Sequence, residues 1–177
     1  MSRIPFYLAL ATAALSTALA QPASAQDKVA RGKYLVTVSG CNDCHTPWKM
    51  GANGPEPDYS RMLSGHLQDF ALPPAPAAKG PWVVSAAATN TAWSGPWGVS
   101  YTANLTPDKE TGLGKWTQRN FTETIRTGRH MGRGRPILPP MPIPMYKNFT
   151  DADLEAIFAY LQSIPAIRNK VPEPLAP

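Results

Sequence analysis

Only two of the 177 residues are cysteine, Cys41 and Cys44, and only three are histidine, His45, His66 and His130. A structural zinc site takes four ligands, usually as two pairs. No second cysteine pair exists to complete one, and adjacent Cys44 and His45 are poorly placed to chelate a single ion. Long apolar runs are equally scarce. The one run, from Phe6 to about Ala20, is shorter than the ~20 residues a bilayer span needs. No transmembrane segment is therefore expected in the mature chain. No stretch interleaves Lys or Arg with aromatics as a nucleic-acid surface requires, which excludes that partner class.

What is present begins with an address. Residues 1–25 run from Arg3 through an apolar stretch to small residues, the order of a secretory signal peptide. Ala18-Leu19-Ala20 and Ala23-Ser24-Ala25 both offer cleavage sites, and the expected cut follows Ala25. Residues 26–177 then form one domain exported to the periplasm. Losing Arg3 takes the formal charge from +5 to +4, which favours solubility and attraction to acidic surfaces.

Both cysteines fall in SG-CNDCH-TP, with His45 directly behind Cys44. Three chemistries use a C-x-x-C pair: a zinc half-site, a redox dithiol and a covalent haem anchor. A thioredoxin-like dithiol follows a strand in a βαβ context, whereas ARGKYLVTVSG ahead of Cys41 reads as helical. The haem reading needs only C-x-x-C-H, in which two thiols form thioethers and the adjacent histidine ligates the iron. One covalent haem c is the reading that fits, with iron held by His45.

The second axial ligand has five candidates downstream: His66, His130, Met131, Met141 and Met145. Met50 and Met62 stand too near the anchor. In ILPPMPIPMYKNFTD, prolines bracket Met141 on both sides and hold the backbone in a stiff, extended form. Met141 is the expected ligand and Met145 the runner-up, the latter packing over the haem edge. His130 and Met131 fall in RTGRHMGRGR, which reads as a mobile, solvated loop whose Arg126, Arg129, Arg133 and Arg135 ring the haem edge. His66 reads as an ordinary histidine at the surface or behind the ligands.

Around these residues the pattern predicts a mainly α domain. A helix over 27–38 opens at Asp27 as N-cap. A second over 117–127 starts at Thr117 and ends at Gly128. The last is capped by Thr150, carries the stripe Leu154, Ile157, Phe158, Leu161 and Ile164, and stops at Pro165. Between anchor and second helix, residues 47–114 form a long Pro/Trp-rich insertion. Ser94-Gly95-Pro96 there is the expected turn of a short β-hairpin, and Trp82, Trp93 and Trp97 are expected to cover haem edge.

Four segments in order, CNDCHTP at 41–47, NLTPDKETGLGKWT at 104–117, PPMPIPMY at 139–146 and FTDADLEAIFAYLQSIP at 149–165, resemble the single-haem cytochrome c domain family. The chain is most similar to cytochrome c subunits of bacterial periplasmic dehydrogenases. The resemblance implies Cys41 and Cys44 as attachment residues, His45 as proximal ligand and Met141 as distal ligand. It also implies that Gly32 meets Tyr160 where the first and last helices cross. The implied function is electron transfer rather than catalysis, with redox protein partners such as a dehydrogenase and a terminal oxidase or other cytochrome. Any membrane association then runs through a partner. The alternative is a haem enzyme or small-ligand sensor with an open or displaceable sixth position, for which the sequence offers no obvious distal acid or base.

Overall fold

The structure, a computed structural model, describes residues 24–75 and 81–177. The expected export signal lies outside these residues except for Ser24 and Ala25. Helix α1, Ala25–Val38, starts two residues earlier than the pattern predicts. Its N-cap is Ser24, and Asp27 occupies the third helical position. The Ser24 hydroxyl accepts the Asp27 N–H at 3.1 Å while the Asp27 carboxylate accepts the Ser24 N–H at 3.0 Å. Ser24-x-x-Asp27 is thus a reciprocal capping box, a short-acid version of the usual Glu form.

Helix α2, Cys41–His45, follows α1 almost at once, because Gly40 turns the chain left-handed at φ +71°. Two small sheets then occupy the insertion. Strands β1, Trp48–Gly51, and β2, Gly54–Pro57, form an antiparallel hairpin in the first part of the insertion, where no strand is predicted. Pro55 and Pro57 hide it from a pattern reading, and both are tolerated because each strand of a two-stranded sheet is an edge. Strands β3, Ser85–Ala86, β4, Ala92–Gly95, and β5, Gly98–Tyr101, make a three-stranded antiparallel sheet. The expected hairpin is present there, but Gly95 pairs with Gly98, so Pro96-Trp97 forms its turn.

Helix α3, Gln118–Thr127, is capped by Thr117 and ends at Gly128 in the left-handed region, as expected. Phe121 and Ile125, four apart, are both buried. Helix α4, Ile143–Tyr146, is a single turn inside the segment expected to be extended. Pro144 sits in its first turn, where a missing N–H costs nothing. Helix α5, Asp151–Ser163, is capped by Thr150 and buries Leu154, Ile157, Phe158 and Leu161.

The frame is the crossing of α1 over α5. A Cβ at Gly32 would lie 1.9 Å from the Ala156 carbonyl oxygen and 2.7 Å from the Tyr160 Cβ. Only glycine permits that approach, and Tyr160 is its neighbour as the resemblance implies. Arg31 to Asp153 at 2.9 Å and Lys28 to Glu155 at 2.9 Å bracket the crossing at the surface. Helix α3 joins through Phe121, whose ring centre lies 5.5 Å from that of Phe158. Among the described residues no helix is long and apolar enough to cross a membrane.

Candidate functional site

A cavity of about 700 Å³ opens between α1, α2, α3, α4, the segment after β5 and the end of the chain. Its size falls within the range of cofactor pockets. In α2, Cys41, Cys44 and His45 have i, i+3, i+4 spacing, which places them on one helical face. All three line the cavity. Local sequence alone therefore brings two thiols and an imidazole to one surface.

His45 is buried, and its Nδ1 lies 2.7 Å from the carbonyl oxygen of Ala103. A carbonyl only accepts, so Nδ1 carries the proton and Nε2 keeps its lone pair. Burial pushes the imidazole's pKa down, so the ring stays neutral. A neutral ring with one nitrogen tied to a backbone acceptor is the state in which histidine ligates a metal.

The cysteines are not joined to each other. Burial pushes the Cys41 thiol up to about 11, and it raises Cys44 as well, with the Asp43 carboxylate adding to the effect. Redox dithiols and reactive cysteines have the opposite shift, towards thiolate at neutral pH. Among the described residues no three His, Cys, Asp or Glu side chains converge as a zinc ion needs. Of the three chemistries open to C-x-x-C, covalent attachment is the one these surroundings suit.

Two methionines line the cavity, Met141 and Met131; Met145 does not. Met141 is half-buried and packs against the core. Met145 is 65% exposed, which overturns its expected place over the haem edge. The single turn of α4 explains the difference. Ile143 and Tyr146, three apart, share the face that meets the cavity, and Met145 falls between them on the outside. The Tyr146 hydroxyl donates to the Ser39 carbonyl, tying this turn to the end of α1.

Other expectations need correction. The Gly/Arg-rich segment is exposed along most of its length, as expected of a solvated loop, but it is a hydrogen-bonded turn, with Gly132 N–H to Arg129 O at 2.9 Å and His130 N–H to Arg135 O at 2.9 Å. His130 lines the cavity and packs edge-on against Trp116, ring centres 5.1 Å apart. Of the four arginines only Arg135 lines the cavity. Arg126 pairs with Asp151 at 2.5 Å, and Arg129 donates to Gly134 O at 2.9 Å. His66 is buried, its Nδ1 2.9 Å from the Thr91 hydroxyl, so of its two expected places the surface one is excluded. Trp82 is 80% exposed, and neither it nor Trp93 nor Trp97 lines the cavity.

The insertion contributes in another way. It carries the Ala103 carbonyl that orients His45, and its Ser100 hydroxyl donates to Pro139 O at 2.6 Å, bracing the segment ahead of Met141. Two contributors to the wall went unread in the sequence. Trp116 stands in a segment already singled out, but as a lone aromatic without periodicity. Residues 170–174 lie beyond the last helix, where a proline-rich composition gives no sign that the chain folds back.

The chain matches the cytochrome c family over residues 29–165. It belongs to that family. Membership implies a covalent haem c and a role in electron transfer, and the donor set of the cavity fits such a group. The chain is 26% identical to the fructose dehydrogenase cytochrome subunit of Gluconobacter japonicus, across 88% of this chain and 26% of that protein. It is 30% identical to the gluconate 2-dehydrogenase cytochrome c subunit of Pantoea cypripedii, across 86% of this chain and 27% of that protein. A shorter match, 39% identical, covers 44% of this chain and 6% of a nicotinate dehydrogenase component from Pseudomonas putida. The cytochrome thus spans about a quarter of the length of the dehydrogenase cytochrome subunits it resembles, and far less of the nicotinate dehydrogenase component.

Proposed function

We propose that this cytochrome is an exported, periplasmic carrier of single electrons with one haem c, bound through Cys41 and Cys44 and ligated by His45 and Met141. The observation that carries the reading is the meeting of these four side chains on one cavity, with the His45 Nδ1 tied to the Ala103 carbonyl. When bound, the haem would supply an iron that cycles between ferrous and ferric states. The protein's own part is to fix the imidazole through Ala103, to present the Met141 thioether from a braced segment, and to enclose both in apolar surface. A thioether ligand and burial both favour the ferrous form and raise the potential.

The names of the relatives support a dehydrogenase as electron donor; the acceptor proposed with it is a terminal oxidase or another cytochrome. The cytochrome would then act as a redox subunit or a docking partner rather than as the catalyst. The deciding measurement is the optical spectrum of the ferric protein after acid–acetone extraction has shown whether haem stays on the polypeptide. Wild type is expected to retain haem and to show the red-edge band of sulfur–iron ligation. Met141→Ala should lose that band and drop in potential, whereas Met131→Ala should keep it. Loss of the band in Met131→Ala alone would move the ligand to the turn after α3. High-spin iron in wild type would favour an open-site enzyme or sensor, with His130 as the available acid or base.

A further inference from the structure

The family match ends at Pro165, yet the chain does not leave the molecule there. Residues 166–177 fold back over the cavity, and Lys170, Val171, Pro172, Glu173 and Pro174 line it. We propose that this segment is a built wall of the haem cavity, and that Asn169 is the positioning residue that holds it in place, shielding the iron from water and raising its potential. The proposal rests on the haem-carrier reading above.

Asn169 is fully buried, and each of its polar groups is used. Its side-chain amide donates to Ser64 O at 2.7 Å and to His66 O at 2.8 Å. Its side-chain oxygen accepts the Gln68 N–H at 3.0 Å, and its own N–H donates to the Thr111 hydroxyl at 3.0 Å. Its carbonyl accepts from Asn104 Nδ2 at 3.4 Å. A buried asparagine saturated by partners this far apart in sequence fixes one arrangement of the chain, since any other leaves buried groups unpaired.

Three further contacts hold the wall on either side of that latch. Ile167 exchanges hydrogen bonds with the Thr106 hydroxyl, at 3.0 and 3.2 Å, three residues beyond Ala103. Leu175 pairs with Val99 through two backbone bonds of 2.9 Å, extending the sheet edge of β5. Gly98, at φ +90°, makes room for that pairing: a Cβ there would lie 2.0 Å from the Leu175 carbonyl oxygen. Glu173 also meets Arg135 at 3.4 Å, closing the rim against the turn after α3. The tail is therefore joined both to the segment that orients His45 and to the loop that leads to Met141.

Burial and solvent access are among the properties through which a protein sets a haem potential. Water admitted beside the iron stabilises the more highly charged ferric form, so opening this wall should lower the potential without changing either ligand. The test uses the full-length holoprotein with Asn169→Ala, a second variant with Gly98→Ala, and a third ending at Pro165. Each is followed by redox titration and by its rate of reduction with a small neutral reductant. The expected result is retained covalent haem, an intact sulfur–iron band, a lowered potential and a several-fold faster reduction in all three. Unchanged potential and rate in Asn169→Ala and Gly98→Ala overturn the proposal, whether or not the truncated chain folds. A wild-type protein without covalent haem would sink the carrier reading and this proposal together, a result distinguishable before any variant is titrated.

Discussion

One region of the cavity wall is a single turn of helix: Cys41, Cys44 and His45 follow each other in α2, and the turn rests on α1 and its crossing with α5. Another region, residues 128–146, is mostly irregular and presents Met141 through hydrogen bonds from distant parts of the chain, Ser100 to Pro139 and Tyr146 to Ser39. In the first, local spacing places the functional side chains and long-range packing only carries the helix. In the second, tertiary contacts place the side chain, and few of them exist. The helical region should therefore fail globally, with the whole fold, and the irregular one locally.

The largest effect expected is on the helical region. Gly32→Val forces a branched side chain against the Ala156 carbonyl, so α1 must lift from α5. The cost should be about 3 kcal/mol or more, the upper range of overpacked cores. It is measured as a drop in thermal midpoint seen equally by helix circular dichroism and by haem absorbance. A variant that lost the sulfur–iron band while its helices stayed folded would break the comparison.

Ser100→Ala acts on the irregular region. Removing the bond to Pro139 should cost about 1 kcal/mol. The sulfur–iron band should then fade at lower temperature than the helical signal. Simultaneous loss of both signals would mean that the ligand segment is no more independent than the helices.

A smaller effect sharpens the contrast from the frame. Asp153 has its pKa held below 3.8 mainly by the hydrogen bond from Arg31, with the Thr150 cap assisting. A carboxylate depressed on folding stabilises the protein above its unfolded pKa and loses that contribution as pH falls through the folded value. Asp153→Asn should thus cost up to about 1 kcal/mol at neutral pH, Arg31 being half-exposed. The difference from wild type should vanish in acid below 3.8, as followed by urea unfolding across that range. The smallest effect belongs to Met145→Ala. With its side chain in solvent, stability should change by no more than about 0.5 kcal/mol and the spectrum not at all.

The same contrast explains what the sequence disclosed. Apolar spacing and caps identified α3 and α5 to within a residue, because Thr117, Gly128 and Thr150 act on their immediate neighbours. C-x-x-C-H was legible for the same reason. The start of α1 lies two residues before the predicted one because Asp27 suits an N-cap as well as Ser24 does, and only the hydrogen bonds between the two tell cap from third helical residue. Prolines on both sides of Met141 set it above Met145, which has a proline on one side only, but they gave no sign that Met145 would face solvent instead of packing over the haem edge. The unforeseen turn of α4 is what points Met145 outward. Trp82, Trp93 and Trp97 suggested a role by size alone, while Asn169, flanked by the charged Arg168 and Lys170, looks like any surface residue and has its meaning only through partners some hundred residues away.

Because Ser24 and Asp27 close the first turn of α1 on each other, removal of a signal peptide, if the chain is exported as proposed, would decide by its point of cutting how the first helix begins. A cut after Ala20 leaves residues 21–23 ahead of the helix cap and both halves of the box intact. A cut after Ala25 removes Ser24, orphans the Asp27 N–H, and puts a new ammonium group on Gln26 at the positive end of the helix. Asp27 would then be the sole counter-charge in that turn. Loss of such a cap costs about 0.5–2 kcal/mol, taken from the helix whose Gly32 meets α5. N-terminal sequencing of the mature protein reads the choice directly, and a terminus at Gln21 is the one that keeps the fold's first turn closed.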